Sequence, residues 1–310
     1  MSDWPTLSDL LDEIADDIKA ELANKPEVKD IDPESFDVKN LPIQARRWHR
    51  LTDIVAVVVD LKGSTRLSTG KEHAANTASV YEAATDNAVR VFNQFKADFI
   101  QIQGDGVLAI FWGDRRYERA LCAGITVKTF GLTLGQRIAN KWPTIETGYK
   151  VGISSGRVLV KRIGTPRNPA EQEPVWAGKP VNFATKAAQH ANLGELIVTA
   201  SVWAEIEKND YLVTSCGHGD GKITEPTALW TDVSIDTIAD EVQSKGQKLK
   251  SAWCGWHGDE FCQKILEGET TREEAEDVTL EHATKARQFL GAQFEELIEM
   301  KKKQKRRWPR

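Results

Sequence analysis

The sequence predicts an α+β fold in which one β-sheet is covered by helices. Short apolar runs indicate strands, and longer segments with apolar residues at helical spacing separate them. Between residues 50 and 200 the predicted order is strand, helix, two short strands, helix, two strands, helix and strand. A chain of 310 residues is long enough to bury a sizeable core.

The elements follow in chain order. Apolar residues recur at helical spacing across residues 6–24, which predicts an amphipathic helix before a run of prolines. The strands and helices of the central part are predicted at 53–60, 72–96, 97–103, 107–112, 116–139, 149–154, 157–163 and 180–191. A cysteine- and glycine-rich region then leads to an acidic helix from about residue 270 and a basic tail. We therefore expect an N-terminal helical segment at 1–49, a main domain at 50–205 and a C-terminal region at 206–310.

Composition and charge exclude several classes of protein. With 40% apolar and 28% charged residues the chain is typical of a folded soluble protein, and its net charge of −5 argues against a general nucleic-acid coat. The acidic N-terminus lacks the features of a secretory signal, and no stretch has the roughly 18 apolar residues that a membrane span needs. We expect a cytoplasmic protein without a nucleic-acid partner, whose four cysteines are thiols or metal ligands.

An aspartate ends the first strand of the main domain. In IVAVVVDLKGST, Asp60 follows a run of aliphatic residues, and the carboxyl end of a buried strand is where α/β proteins carry reactive groups. The turn formed by Gly63, Ser64 and Thr65 allows close approach of a ligand and begins a helix whose free N–H groups favour phosphate. The alternative is that Asp60 only caps this helix.

A second aspartate, Asp105, lies between two glycines in FIQIQGDGVLAIFWG, which indicates a tight turn between two apolar strands. Neighbouring strands would then present two carboxylates to a common point. Hard oxygen ligands beside a phosphate-binding turn suit Mg²⁺ or Mn²⁺ rather than zinc. The alternative is that Asp105 only forms the turn.

A third motif lies on a predicted helix. In EPVWAGKPVNFATKAAQH, Asn182 and Lys186 are four residues apart and share one helical face. Taken alone, this pattern is also typical of a capped surface helix.

Together the three motifs resemble the class III nucleotidyl cyclases over residues 50–200. In that family a metal-binding aspartate ends the first strand before a Gly-aromatic-Thr turn, a second lies in a Gly-Asp hairpin, and an Asn-x-Ala-x-Arg helix follows. VGISSGRVLV, at 151–160, resembles the family's Gly-rich strand pair. The resemblance implies a ferredoxin-like catalytic domain of the βαββαβ type at 50–205, with an N-terminal helix and a smaller C-terminal region.

The resemblance also implies a reaction, in which the ribose 3′-hydroxyl attacks the α-phosphate of a nucleoside triphosphate and pyrophosphate leaves. Asp60, Asp105 and the Leu61 carbonyl would hold two Mg²⁺ or Mn²⁺ ions per site. Residues 63–65 would bind the triphosphate.

A homodimer follows from the same resemblance, because family members build each site between two subunits arranged head to tail. One subunit supplies the aspartates and the other supplies the helix with the asparagine. Asn182 would orient the ribose and Lys186 would stabilise charge on the α-phosphate. A lysine in place of the family's arginine keeps the charge but loses the planar fork.

The base-selecting positions depart from the purine cyclases. Four residues before the second aspartate those enzymes have Lys or Glu, whereas this chain has Gln101, and their Asp or Cys partner aligns with Val175. Losing these groups removes hydrogen-bond partners for adenine or guanine. The pattern resembles the bacterial pyrimidine cyclases of anti-phage signalling systems (Pycsar), which make cyclic UMP or cyclic CMP for a downstream effector.

We therefore expect a pyrimidine nucleotidyl cyclase that uses UTP, with CTP less favoured, in bacterial anti-phage defence. One alternative is an adenylate or guanylate cyclase with altered base contacts. Another is an inactive cyclase-like domain that senses nucleotides, although the presence of Asp60, Asp105 and Asn182 argues against it.

The C-terminal region contains a second set of candidate ligands. SCGHGDG and WCGWHGDEFC supply five candidates for a four-coordinate zinc: Cys216, His218, Cys254, His257 and Cys262. The preferred set is Cys216, His218, Cys254 and Cys262. The alternative is that the cysteines are packing residues and the histidines are caps. The KKKQKRR tail is interpreted as a solvated end rather than a surface for nucleic acid or acidic lipid.

Overall fold

The computed structural model describes residues 6–43, 46–63, 73–143, 145–219, 222–223 and 225–272. The chain forms two compact units, each made of segments distant in sequence. The first contains the residues up to Asp53 and Arg157–Gly178, and the second contains Ile54–Gly156 and the residues from Lys179 onward. The division at 1–49, 50–205 and 206–310 stays a prediction. The predicted acidic helix from about residue 270 lies almost wholly outside the described residues, and the basic tail lies wholly outside them.

The elements are numbered in chain order. The helices are α1 (Leu7–Ala23), α2 (His73–Gln94), α3 (Arg116–Lys141), α4 (Lys179–His190), α5 (Ala200–Ile206), α6 (Asp210–Val213) and α7 (Gly258–Glu267). The strands are β1 (Glu27–Asp30), β2 (Arg47–Lys62), β3 (Phe99–Gln103), β4 (Gly106–Phe111), β5 (Gly148–Gly164), β6 (Gln172–Ala177), β7 (Leu196–Val198), β8 (His218–Gly219), β9 (Lys222–Ile223), β10 (Trp230–Ser234) and β11 (Lys245–Leu249). Strands β2 and β5 contribute residues to both units.

The first unit is built from α1, two strand pairs and short 3-10 turns. Helix α1 confirms the helix predicted at 6–24, and its N-cap Thr6 accepts a hydrogen bond from the Asp9 amide at 3.2 Å. The helix buries none of its side chains. Strand β1 pairs in parallel with the start of β2, and β6 pairs antiparallel with the end of β5. Across the described ranges, no helix combines the length and apolar character that crossing a bilayer requires.

The second unit contains a sheet with the strand order β10-β11-β7-β5-β2-β4-β3. Its β5-β2-β4-β3 portion, with α2 and α3 as the connections, is the ferredoxin-like arrangement that the sequence predicts. The sheet continues beyond that portion, because β11 pairs antiparallel with β7 and β10 pairs with β11. The C-terminal region therefore completes the sheet, which the sequence analysis did not predict.

The two faces of this sheet are covered by different helices. Alternate residues of β2 (Val55, Val57 and Val59) join a core that also contains residues of α2 and α3. On the other face, Ala187 of α4 packs in a smaller cluster with Ile197 of β7. Side chains of β2 that alternate with the valines therefore face the side of the sheet that carries α4.

Strand β5 differs from the sequence prediction. The sequence predicts two strands, at 149–154 and 157–163, whereas the structure has one strand from Gly148 to Gly164. Gly156 has a φ of +137°, a conformation that side chains of other residues rarely adopt. The chain therefore passes through an unusual backbone conformation without leaving the strand.

Helix α4 packs directly against β5 at Gly152. A Cβ added to this glycine would lie 2.0 Å from the carbonyl oxygen of Ala184 and 2.3 Å from the backbone nitrogen of Ala188. On the neighbouring positions of β5, Val151 and Ile153 face α3, because a Cβ on Gly124 would meet both side chains. Backbone contact at Gly152 thus sets the distance between α4 and the sheet.

We expect Gly152→Ala to lower the free energy of unfolding by at least about 1–3 kcal/mol, because the added methyl group fits only if α4 moves away from β5. Urea unfolding followed by circular dichroism measures the change. Gly255→Ala is the matched control, because a Cβ there meets nothing within 4 Å, and it should leave stability within about 0.5 kcal/mol of the native chain. Equal destabilisation by the two substitutions would contradict the packing argument.

Candidate active site

The pairing of β2 with β4 brings the two predicted metal-binding aspartates to one end of the sheet. Val59 is paired with Val107, and a Cβ on Gly106 would lie 3.1 Å from the Val59 carbonyl oxygen. Asp60 follows Val59 directly, and Asp105 directly precedes Gly106. Both aspartates are half-buried. The strand register therefore brings the backbones of the two aspartates to adjoining strand ends.

The turn that carries Asp105 depends on Gly104. This glycine has a φ of +64°, and a Cβ there would meet nothing within 4 Å, so the requirement concerns the backbone and not the available space. The resulting two-residue turn joins β3 to β4 in the hairpin that the sequence predicts. Asp105 is thereby held at the tip of a short hairpin and not on a free loop.

Gln101 lies on the same sheet face as Asp60. Gln101 is paired with Leu108 across β3 and β4, and Leu108 is paired with Val58 across β4 and β2. Paired residues share a face, and Asp60 is two residues beyond Val58. The predicted base-reading amide is therefore two strands away from the aspartate, on the side of the sheet that also carries α4.

Lys150 on β5 is a site residue that the sequence analysis missed. Its Nζ lies 3.8 Å from the Asp60 carboxylate and donates a hydrogen bond of 2.9 Å to the Gln189 carbonyl in α4. The lysine side chain is only 13% exposed, compared with 45% for Asp60. A lysine within the predicted strand at 149–154 was a weak signal, because charged residues are seldom buried without a partner but the sequence does not name that partner.

Helix α4 carries the other two predicted catalytic residues. Asn182 is exposed and Lys186 is half-buried, one turn apart. In the part of the chain that the structure describes, neither side chain has a hydrogen-bond or ion-pair partner. Among the described residues, the side chain that pairs with Asp60 is that of Lys150 and not that of Lys186.

The remaining predicted residues fall in different places. Leu61 is 2% exposed, and its side chain belongs to the core. Gly63 follows β2 directly, whereas Ser64 and Thr65 lie outside the described residues. Val175 belongs to β6 in the first unit, opposite Lys161. Their roles in binding stay predictions.

The donor set at the strand ends fits a divalent metal. Asp60 and Asp105 lie at adjoining strand ends, and the Lys150 ammonium is 3.8 Å from the Asp60 carboxylate, beyond normal hydrogen-bond distance. Half-buried carboxylates that form no closer ion pair among the described residues suit Mg²⁺ or Mn²⁺. Asp60 and Asp105 are the residues that could hold such an ion.

A second cluster of ligating side chains lies in the C-terminal region. Cys216, His218, Cys254 and His257 place one ligand atom each within 4.8 Å of one another. Hydrogen bonding from Cys216 lowers the pKa of the Cys254 thiol to about 3, and the same contact together with burial raises the pKa of Cys216.

The preferred zinc set contained Cys262, and the structure places this residue elsewhere. Cys262 belongs to α7, and its carbonyl accepts a 3.9 Å contact from the Cys122 thiol of α3. His257 is the N-cap of the same helix. Five residues along a helix correspond to about 140° of rotation, so the two side chains face different directions. The fourth member of the cluster is therefore His257.

Two curated proteins resemble this chain over most of their length. The uridylate cyclase of Micromonospora echinofusca is 49% identical over 270 residues, covering 86% of this chain and 86% of that protein. The uridylate cyclase of Propioniciclava tarda is 47% identical over 274 residues, again covering 86% of each. No protein-family model matches the chain.

Solved structures share the fold. The adenylyl cyclase CyaB from P. aeruginosa superposes with a TM-score of 0.52 at 15% identity, covering 66% of this chain and 96% of that one. A class III adenylyl cyclase-like ATP-binding protein from Pseudomonas aeruginosa gives a TM-score of 0.52 at 15% identity, covering 72% of this chain and 48% of that one. These similarities confirm the class III cyclase fold that the sequence predicts.

We expect Asp60→Asn and Asp105→Asn each to weaken Mn²⁺ binding at least about tenfold, because each removes a charged oxygen ligand. Lys150→Met should strengthen binding, because it removes the cation that faces Asp60. Electron paramagnetic resonance of free Mn²⁺ during a protein titration measures all three. Asp86→Asn, an exposed aspartate on α2, is the control and should bind as the native chain does. Unchanged binding in either aspartate variant would refute the metal assignment.

Proposed function

The chain belongs to the uridylate cyclase family of class III nucleotidyl cyclases, and we propose that it converts UTP to 3′,5′-cyclic UMP and pyrophosphate. Identity of nearly one half to two uridylate cyclases over most of the chain supports this proposal. The structural observation that carries it is the placement of Asp60 and Gln101 on one sheet face, with Asp105 at the adjoining strand end.

The proposed reaction is an intramolecular phosphoryl transfer. The ribose 3′-oxygen forms a bond to the α-phosphorus and loses its proton, while the bond from the α-phosphorus to the bridging oxygen breaks and pyrophosphate leaves. Asp60 and Asp105, with the Leu61 carbonyl, would hold Mg²⁺ or Mn²⁺, which supplies Lewis-acid activation of the 3′-oxygen and neutralises the triphosphate.

The other side chains bind and orient the substrate. Asn182 would donate to the ribose and align its 3′-hydroxyl, which reduces the entropy cost of reaching the reactive geometry. Lys186 would place a positive charge near the α-phosphate, where negative charge increases in the transition state. Gly63, Ser64 and Thr65 would bind the triphosphate through the turn after β2.

Gln101 would read the base. A carboxamide both accepts and donates, so it can accept from uracil N3–H and donate to O4. The same amide rotated by 180° would suit cytosine. The proposed preference for UTP over CTP therefore rests on the similarity to the two uridylate cyclases. The proposal that Val175 forms an apolar wall of the base pocket rests on the resemblance to the pyrimidine cyclases.

The working form would be a head-to-tail homodimer with two shared sites. Within one chain the carboxylate of Asp60 faces Lys150, while Lys186 and Asn182 have no partner among the described residues. Side chains that no described residue of their own chain engages are available to a nucleotide held by the aspartates of a second copy. A symmetric pair of chains would form two such sites.

The cyclic nucleotide would serve as a second messenger in bacterial anti-phage defence and act on a downstream effector in the cytoplasm, where UTP is available. This role follows from the resemblance to the Pycsar cyclases and from the product proposed above.

Equimolar UTP, CTP, ATP and GTP with Mn²⁺ should yield cyclic UMP as the main product, identified by chromatography and mass spectrometry. Gln101→Ala should lower kcat/KM for UTP by about tenfold to a hundredfold, because an unpaired buried polar edge costs about 1–3 kcal/mol. Gln94→Ala changes an exposed amide at the end of α2, on the other face of the sheet, and should have a much smaller effect. Dominant cyclic AMP or cyclic GMP would refute the pyrimidine assignment and leave the cyclase family standing.

A mixture of Asp60→Ala and Lys186→Ala chains should recover up to about a quarter of native activity, because half of randomly assorted dimers are mixed and each mixed dimer has one intact site. The readout is pyrophosphate release after subunit exchange. A mixture of Asp60→Ala with Asp105→Ala should recover none, because both changes affect the same half of each site. No recovery in the first mixture, with exchange verified by native mass spectrometry, would exclude the shared site.

A further inference from the structure

We propose that Cys216, His218, Cys254 and His257 bind a structural Zn²⁺ ion in a closed Cys₂His₂ site. The proposal concerns residues of the C-terminal region and does not depend on the cyclase reaction. Thiolate sulfur and imidazole nitrogen are the ligands that zinc prefers, and four protein ligands without an open position are typical of structural sites.

The spacing of the ligand atoms fits such a site. Zinc bonds of about 2.0–2.1 Å to nitrogen and 2.3 Å to sulfur place tetrahedral ligand atoms about 3.3–3.8 Å apart. The four ligand atoms lie within 4.8 Å of one another, and Cys254 Sγ lies 4.0 Å from His257 Nδ1. Binding therefore requires ligand atoms to move closer by about 1.5 Å at most, a distance within reach of side-chain rotations.

His218 provides an independent observation. Both of its ring nitrogens are buried and lack a hydrogen-bond partner among the described residues. A buried polar atom without a partner costs about 1–3 kcal/mol, so native structures seldom retain one. The ring is held in place by stacking on Trp256, with centroids 4.9 Å apart, and it lies 4.8 Å from the ring of His257. A metal ion in the cluster would use one of the two nitrogens.

The backbone around Cys254 resembles the environment of a metal-bound thiolate. The Trp256 amide donates to Cys254 Sγ at 3.4 Å, and the Gly258 amide donates to the Cys254 carbonyl at 2.8 Å. Donors to a ligating sulfur fix its orientation and stabilise its negative charge. This turn places the cysteine and His257 on the same side, just before α7 begins.

The ion would join two segments of the C-terminal region that are distant in sequence. Cys216 and His218 lie at the start of the small β8–β9 hairpin, and Cys254 lies in the segment before α7. The latter segment is fixed to α3, because Trp253 donates from its amide to Thr129 and from its indole to Thr126, at 3.1 and 2.9 Å. Zinc would thus link the β8–β9 hairpin to the segment that is hydrogen-bonded to α3.

Metal analysis of the full chain, purified without chelator from zinc-containing medium, tests the proposal. We expect about one zinc ion per chain in the native protein and in Cys262→Ser, and less than about 0.2 in Cys254→Ser and in His257→Asn. Cys262→Ser is the matched control, because it removes a neighbouring cysteine outside the cluster. Retention of zinc by His257→Asn together with its loss from Cys262→Ser would overturn this ligand set.

Because a variant can lose zinc simply by misfolding, the native chain is tested as well. Cobalt exchanged into the site should give the absorption spectrum of a tetrahedral ion with two thiolates, and removal of zinc by a chelator should lower the midpoint of thermal unfolding. Native protein that contains no zinc and gives no cobalt spectrum overturns the proposal. Peptide mapping that finds Cys216 joined to Cys254 by a disulfide overturns it too.

Discussion

The active site depends on the register between β2 and β4. Five consecutive pairs, from Val55–Phe111 to Val59–Val107, place alternate side chains of both strands in the core under α2 and α3. Because side chains alternate along a strand, a slip of one residue would move the valines to the face that carries α4 and turn Asp60 into the core. The hydrophobic residues that stabilise the sheet therefore also fix the direction of the Asp60 carboxylate, the proposed metal ligand, so a substitution that shifts this register would change both stability and the candidate site.

Local patterns made most of this arrangement predictable from the sequence. The strand that ends near Asp60, the glycine-flanked hairpin around Asp105 and the helix with Asn182 each depend on residues close together in the chain, and each forms as predicted. The turn at Ser64 and Thr65 lies outside the described residues. Gly156 was the exception, because a glycine within an apolar run fits a turn as well as an unusual conformation inside a strand. Only neighbouring strands decide between these two outcomes.

Local sequence patterns could not predict the contacts between residues that are distant in the chain. The attachment of β11 to β7 joins residues far apart in the chain, and no local spacing encodes it. Lys150 was missed for the same reason, because its partners belong to β2 and α4. The cluster in the C-terminal region was found from composition, but its fourth member depends on the direction that α7 gives to His257 and Cys262. Spacing alone treats these two residues as equivalent.

Lys150 would also matter between turnovers of the proposed reaction. Its ammonium group interacts with Asp60 and, at the same time, with the Gln189 carbonyl in the last turn of α4, where the helix dipole is negative. With a metal ion at the aspartates, the lysine would keep the Gln189 carbonyl as a partner, and once the ion had left, Asp60 would keep Lys150. The lysine would therefore act as a resident counter-ion that balances the charge of Asp60 whenever the metal is absent.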